Sequence, residues 1–281
     1  MNRHMGNVFE INRFGKFLKH ELVRAYNEYG LSILILGIMP LMLFALVEIF
    51  SVLLTKGDFV PFEWCGFVSI FISLIIGAIT LPLKVYGPLT DKRFGSEWLM
   101  IPASRFEKWL SLIVVTCIVA PLCIAAILFA TDGLLSLCFN NTYGASVLTK
   151  FNFKDFGQFI TSYIEDAFGD ETGAKLHLSV AGMSWFIWMS YILIFTLGAI
   201  FFKKNKFGLT VLCLFGIGTA SSMLTSVLAL AFDWNVFFDN LQVDSLADFN
   251  RIAIWWKLGT ILIDVLLPMY LIWLRLKTLK H

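Results

Sequence analysis

Long apolar runs constrain the fold of this chain more than any other feature. Six runs reach about 20 residues, the length of helix that crosses a hydrocarbon core of about 30 Å. Hydrophobic residues make up 58% of the 281 residues and charged residues only 15%, whereas soluble domains carry about 25% charged residues. The runs also lack the alternating pattern of an outer-membrane barrel. These features exclude an ordinary soluble enzyme and predict an all-α polytopic membrane protein.

The predicted membrane domain covers residues 30–274 and contains six transmembrane helices. Its spans are 30–54, 64–86, 109–130, 178–202, 207–231 and 252–274. The main connections are the loop 87–108 on one side and the loops 131–177 and 232–251 on the other, and residues 275–281 form a tail. We expect the loops 131–177 and 232–251 to form short helices that cap the bundle.

Lysine and arginine residues predict the orientation, because they are enriched on the cytoplasmic side of membrane proteins. Sixteen of them lie on the face that carries both termini and the loop 87–108, and six lie on the other face. We therefore expect both termini and the loop 87–108 to be cytoplasmic, and the loops 131–177 and 232–251 to be outer loops.

Residues 1–29 predict a cytoplasmic amphipathic helix at the membrane interface. Its apolar positions are Ile11, Phe14, Leu18 and Leu22, and its basic face carries Arg13, Lys16, His20 and Arg24. Two interpretations fit this pattern. The helix anchors the chain to the lipid surface, or it also contacts a cytoplasmic partner.

The cytoplasmic loop 87–108 combines apolar and charged residues. Phe94, Trp98 and Leu99 lie among charged neighbours such as Asp91, which suits docking into a groove on another protein. The alternative is that Trp98 lies against the bilayer. Downstream, Ser104 and Glu107 have the spacing of a capping box, which predicts the start of the third membrane helix at residue 105.

The run Gly-Pro-Leu-Thr-Asp-Lys-Arg-Phe-Gly-Ser-Glu-Trp-Leu-Met-Ile-Pro-Ala-Ser-Arg-Phe-Glu-Lys resembles the first cytoplasmic loop of ABC-2-type permeases. Bacterial members carry Leu-Pro-Ala-Ser-x-x-Glu-Lys here, and Ile101 replaces the leucine. The resemblance implies the permease subunit of an ATP-driven exporter in the bacterial inner (cytoplasmic) membrane. Its implied partners are cytoplasmic ABC ATPase subunits and a second permease half, as a homodimer or heterodimer.

The same resemblance assigns roles within the loop. Asp91 to Ile101 becomes the coupling helix in the ATPase groove, with Phe94, Trp98 and Leu99 as docking residues. Pro102 to Lys108 transmits movement to the third membrane helix, which Ser104 and Glu107 hold rigid. One departure is that the larger outer loop lies between spans three and four, whereas the family has its outer helices between spans five and six.

Motif absences define what we expect from partners. The sequence has no G-x-x-x-x-G-K-[ST] motif, so we expect no enzyme activity in this chain, and ATP with Mg²⁺ on the partner subunit. The four scattered histidines give no metal cluster, and nothing indicates a cofactor or a nucleic-acid partner. A membrane scaffold without a transport function is the alternative from another class, and a secondary carrier that uses Asp264 is a third.

Two acids lie within the predicted spans, where ionisable residues are functional candidates. Asp264 lies about 15 Å and Glu48 about 27 Å above the inner ends of their spans, so we expect no direct pair. Glu48 is close enough to the outer surface to be interfacial. Asp264 either forms a hydrogen bond to a neighbouring helix or lines a polar path.

Two further features concern helix geometry. Kinks are expected at Pro40, Pro82, Pro121 and Pro268, because proline removes a helix hydrogen bond. The pairs Gly216–Ala220 and Gly218–Ser222 allow close helix contact, either within one subunit or at a subunit interface.

Overall fold

A computed structural model describes residues 9–55, 65–150, 180–231, 254–255, 258–259 and 261–278, and the regular structure in these ranges is helical. The helices are α1 (Ile11–Gly37), α2 (Met39–Thr55), α3 (Cys65–Val85), α4 (Lys92–Met100), α5 (Arg105–Val114), α6 (Ala120–Cys138), α7 (Val147–Lys150), α8 (Val180–Phe201), α9 (Lys206–Ala231) and α10 (Leu267–Thr278). A 3-10 turn at Gly87–Thr90 precedes α4, and π-turns at Val115–Val119 and Ile261–Leu266 precede α6 and α10. The ranges 151–177 and 232–251, which belong to the predicted outer loops, and the last three residues of the predicted tail lie outside the described residues.

Several helices are long and apolar enough to cross a membrane. They are Cys65–Thr90, Arg105–Cys138 and Lys206–Leu224, and the bent pair Ile11–Gly37 and Met39–Leu54 adds a fourth if it is one span. Trp188–Phe201 is apolar but shorter. The all-α class and the multi-pass character are therefore confirmed for the described residues, with three or four candidate spans against the six predicted from sequence.

The N-terminal helix continues into the first predicted span without a break at residues 29–30. Helix α1 runs to Gly37, and the chain bends by 41° before α2. Pro40 explains the position of the bend, because it has no N–H to donate to the carbonyl of Leu36. On the neighbouring helix, Thr131 Oγ1 donates to the Gly37 carbonyl at 2.7 Å, so a side chain satisfies backbone at the break.

Two of the other predicted kinks coincide with π-turns. Pro121 has no N–H for the carbonyl of Cys117, and Pro268 has none for the carbonyl of Asp264. Each of these carbonyls belongs to a residue within a π-turn. A wider turn moves the chain away from the proline ring, which would otherwise clash with that carbonyl. Pro82, in contrast, lies inside the continuous helix α3.

Helix α3 is at the centre of the bundle and packs against α1, α2, α6 and α8. Its buried positions include Cys65, Ser69, Ser73 and Gly77, four residues apart, and such small side chains let neighbouring helices approach closely. Leu81 continues the same row and is buried in the main core. The α3 sequence thus builds one narrow face for close helix contact.

Helix α9 packs mainly against α8 and is exposed over most of its described surface. Among the described residues, a Cβ atom added at Gly216 or Gly218 would meet no atom within 4 Å. The described residues therefore show no close helix contact at these two glycines, and both interpretations of the small-residue pairs stay open.

Candidate functional site

The loop 87–108 folds against the N-terminal half of α1 and is not a free connection. Its core is α4, which begins after Asp91, and α4 is followed by a short bend at Pro102 before α5. Asp91 and Pro102 are exposed, and Leu99 and Ile101 are half-buried. The predicted coupling segment is thus a helix with one covered face and one open face.

Trp98 lies on the covered face, which corrects its predicted place in an exposed docking surface. Its side chain is only 3% exposed, and its indole Nε1 donates to Glu21 Oε1 at 3.0 Å. The ring also packs against Phe17 of α1, with centroids 6.2 Å apart. The indole suits this position because its ring packs against an apolar side chain while its N–H forms a hydrogen bond. Neither the docking nor the bilayer interpretation anticipates this contact with α1.

Lys108 fixes the end of α4 to α5. Its ammonium Nζ donates to the carbonyls of Trp98 at 3.0 Å and Leu99 at 2.9 Å. It also lies 5.1 Å from the centroid of the Trp98 ring. A cation at a helix C-terminus satisfies carbonyls that have no intrahelical donor and opposes the negative end of the helix dipole. Lys108 is therefore a structural residue of this junction.

The predicted capping box at the start of α5 is confirmed. Glu107 N donates to Ser104 Oγ at 3.2 Å, and Ser104 N donates to Glu107 Oε2 at 2.7 Å. The Glu107 carboxylate, which has no exposed surface, receives further hydrogen bonds from α1. Arg13 donates from Nη2 to Oε1 at 2.8 Å and from Nε to Oε2 at 2.9 Å. This two-pronged arrangement is the strongest form of an arginine–carboxylate contact.

Arg24 makes a second cluster of contacts beside the coupling segment. It forms an ion pair with Glu21 at 2.9 Å, and its Nη2 donates to the Val85 carbonyl at the end of α3, at 3.3 Å. Its guanidinium lies 5.2 Å from the Tyr86 ring centroid and 5.1 Å from that of Phe94. Phe94 is half-buried and is thus in contact with α1 as well.

The basic residues of α1 do not all face away from the protein. Lys16 is exposed as predicted for an interfacial helix, whereas Arg13 and Arg24 turn towards the loop 87–108. Phe14 and Leu18 are half-buried, and the fully buried positions are Phe17 and Glu21. The sequence signal for Glu21 was available, because an acid four residues after Phe17 lies on the same helical face.

The open face of α4 is the part of the site available to a partner. Arg93 and Glu97 are exposed and lie 3.7 Å apart as an ion pair one helical turn apart. Met100 is 79% exposed at the end of the helix. An apolar side chain beside charges of both signs is a surface suited to a protein groove.

A second anchor holds the start of the loop 87–108. Lys206 Nζ, at the first residue of α9, donates to the carbonyl of Gly87. This bond connects the α8–α9 turn to the loop 87–108. The beginning of the loop thus contacts α9, and its end contacts α1 and α5.

The two acids in the predicted spans lie in different elements of the fold. Glu48 is half-buried on α2, and Asp264 is exposed in the π-turn before α10. Sequence reasoning missed a third acid, Asp132, because α6 continues eight residues past the predicted span end at 130. The Asp132 carboxylate is fully buried and accepts from Tyr143 Oη at 2.6 Å and from Val147 N at 2.8 Å.

Among the described residues, no group of three or more His, Cys, Asp or Glu side chains is placed to hold a metal ion.

Comparisons with known proteins give no family assignment. No protein-family model, no curated protein and no solved structure matches the chain.

Proposed function

We propose that this chain is the permease subunit of an ATP-driven ABC-2-type exporter in a bacterial inner membrane. In this proposal six spans cross the membrane and both termini are cytoplasmic. A separate ATPase subunit binds ATP and Mg²⁺, and a second permease half completes the transporter. The observation that carries the proposal is the two-faced helix α4, which is fixed to the membrane helices on one face and open on the other.

The open face is where the ATPase docks. Arg93, Glu97 and Met100 give it a charged surface with one exposed apolar side chain. An ATPase groove with an apolar pocket and complementary charges fits this surface. Trp98 has a different role from the one implied by family resemblance, because it connects α4 to α1 and cannot reach a partner.

The covered face transmits the movement. Trp98 connects α4 to Glu21 of α1, and Lys108 connects α4 to α5. Glu107 then connects the start of α5 back to Arg13 of α1. When ATP binding closes the partner subunits, a displacement of α4 therefore moves α1 and α5 together. These helices continue into the candidate spans that would open alternately.

A co-purification experiment tests the proposal. The tagged chain is extracted in mild detergent and the proteins that accompany it are identified by mass spectrometry. We compare the wild type with Met100→Asp on the open face and with Leu137→Asp. Leu137 is a matched control, because it is 82% exposed but lies near the end of α6, far along the chain from the coupling segment.

We expect an ATPase with Walker A and ABC signature motifs to accompany the wild type and Leu137→Asp. We expect its yield to fall by about tenfold in Met100→Asp, the size of effect of a hot-spot residue. A reproducible partner without nucleotide-binding motifs would instead support the membrane scaffold. Transport that is insensitive to ATP depletion would support a secondary carrier.

A further inference from the structure

The turn between α8 and α9 carries two exposed lysines at the end of a candidate membrane span. Lys203 and Lys204 lie just before Lys206, where the span Lys206–Leu224 begins. Asn205 closes the turn with a φ of 46°, in the left-handed region that asparagine enters more readily than most residues. The turn therefore holds both ammonium groups at the edge of the apolar layer, in either orientation of the chain.

Helix α10 brings two more cations to this turn. Arg275 Nε donates to the carbonyl of Ile200 at 3.4 Å, and its guanidinium lies 5.3 Å from the ring centroid of Phe201. Ile200 and Phe201 are the last two residues of α8, so Arg275 is adjacent to the turn. Lys277 follows in the last turn of α10 and is exposed. The basic patch, as we define it, consists of Lys203, Lys204, Arg275 and Lys277.

No acid neutralises the basic patch within the described residues. The sequences of α8, α9 and α10 contain no aspartate or glutamate, and none of the four cations forms an ion pair in this part of the chain. Asp91 interacts with Lys206, which is bonded to the Gly87 carbonyl and is not part of the patch. Clustered positive charges repel one another, and a bound anion removes this repulsion.

An apolar surface continues from the basic patch along α9. Among the described residues, Phe207 is 50% exposed, Leu212 67% and Phe215 73%, and all three belong to the candidate span. On α10, Lys277 Nζ lies 3.1 Å from the ring centroid of Trp273, and tryptophan is enriched at the level of lipid headgroups. Cations at the membrane edge with apolar side chains beside them match the two parts of a lipid. A free anion would use only the cations.

We propose that the basic patch binds the phosphate headgroup of an anionic phospholipid, whose acyl chains lie against the exposed surface of α9. The Nη atoms of Arg275 form no hydrogen bond within the described part of the chain. They can therefore donate side by side to two oxygens of one phosphate. Lys203 and Lys204 add point charges that attract the same headgroup. This proposal depends on the basic patch and the candidate span, and not on the ATPase.

A lipid titration tests the specificity for the headgroup. The purified chain in detergent is titrated with dioleoylphosphatidylglycerol or with zwitterionic dioleoylphosphatidylcholine, and bound lipid is counted by native mass spectrometry. The test variant is Lys203→Gln/Lys204→Gln. The matched control is Lys16→Gln/Lys19→Gln, which removes two exposed lysines from α1 and changes the net charge equally.

We expect the wild type and the control to bind phosphatidylglycerol at least about tenfold more tightly than phosphatidylcholine, because each lysine at a membrane surface strengthens binding to anionic lipid by about fivefold. The test variant should lose about tenfold in affinity for phosphatidylglycerol. Lys203→Arg/Lys204→Arg should retain that affinity, since it keeps the charge.

Three results of the titration would overturn the proposal. The first is equal affinity of the wild type for the two lipids. The second is an equal loss of affinity in the test variant and in the control. The third is displacement of phosphatidylglycerol by an equimolar amount of inorganic phosphate, because the basic patch would then recognise a free anion.

Photo-crosslinking in cells separates a bound lipid from a protein partner. A benzophenone amino acid replaces Phe207 in the wild type and in Lys203→Gln/Lys204→Gln, and the adducts are identified by mass spectrometry. We expect phospholipid adducts in which phosphatidylglycerol exceeds its share of the membrane lipids, with no such excess in the test variant. A crosslinked protein, or adducts that follow the bulk lipid composition in the wild type, would overturn the assignment of the basic patch to an anionic lipid.

Discussion

Trp98 and Glu21 connect α4 to the N-terminal helix α1 through a buried hydrogen bond of 3.0 Å. Both side chains are almost fully buried, so neither is available to a partner protein. The sequence alone assigns docking to Trp98, whereas the structure shows that Trp98 fixes α4 to α1. Trp98 holds α4 in place, and the opposite face of α4, which carries Met100, is exposed. The proposed docking surface is this exposed face.

The first prediction concerns this bond. Trp98→Phe keeps a large ring but removes the indole N–H, so the buried Glu21 carboxylate loses a donor. We expect the free energy of unfolding to fall by about 1–3 kcal/mol, measured by thermal or denaturant unfolding in detergent. The ATPase should still co-purify, whereas Met100→Asp should lose it at unchanged stability. Loss of the ATPase from a stable Trp98→Phe chain would contradict the assignment.

A double-mutant cycle isolates the pair. The cycle uses Glu21→Ala, because Glu21→Gln would keep an oxygen acceptor for Trp98 and remove only the ion pair with Arg24. We expect Trp98→Phe to cost less in the Glu21→Ala background than in the wild type, with a coupling energy of about 1 kcal/mol. Additive effects of the two substitutions would show that the bond contributes no stability.

The second prediction concerns Arg13 and Glu107. Arg13→Ala removes the two-pronged contact and leaves a buried carboxylate with only its backbone donors. We expect the free energy of unfolding to fall by about 1–3 kcal/mol. The lower end of this range is expected, because Arg13 is partly exposed and solvent screens its charge. Arg13→Lys should recover part of it. Glu107→Gln is the informative comparison, because glutamine preserves the capping box but not the charge.

The third prediction tests the bend between α1 and α2. A Cβ atom at Gly37 would overlap the side chain of Ile127, so Gly37→Ala should destabilise the chain by about 1–3 kcal/mol. Gly133→Ala is the control on α6, because a Cβ there meets no atom of the described part of the chain within 4 Å. It should be neutral or stabilising by up to about 1 kcal/mol. Equal melting temperatures of the two variants would argue against the close contact.

The fourth prediction concerns Asp132, the buried acid near the C-terminal end of α6. Asp132→Leu removes the acceptor of both Tyr143 and the Val147 amide and should cost about 1–3 kcal/mol. Asp132→Asn should be milder, because its oxygen can accept from the amide while its NH₂ group faces the phenol oxygen. Hydrogen exchange at the Val147 amide, faster in the leucine variant only, is the appropriate measurement.

Local chemistry made part of the site predictable from sequence. The Ser104–Glu107 capping box needs residues three apart, and proline acts on the carbonyl four residues before it. Both signals are therefore contained within one helical turn. They predicted the start of α5 and the bend near Pro40, and the kinks predicted at Pro121 and Pro268 fall beside π-turns. Pro82 is the exception, since α3 continues past it.

Long-range contacts made the rest unpredictable. Trp98 meets Glu21 across 77 residues, and Glu107 meets Arg13 across 94. No periodicity within the loop 87–108 shows which of its apolar residues face the protein. Arg13 and Arg24 likewise follow the spacing of a lipid-facing basic stripe, but buried carboxylates and the Val85 carbonyl hold them against the protein.

Site-specific photo-crosslinking at Met100 in intact cells tests the central claim most directly. A benzophenone amino acid replaces Met100 in one strain and Leu137 in another, and crosslinked proteins are identified by mass spectrometry. We predict that position 100 captures a protein with ATP-binding motifs and that position 137 does not. Capture of only lipid, or of proteins without such motifs, at position 100 would contradict the proposal that the open face of α4 docks an ATPase.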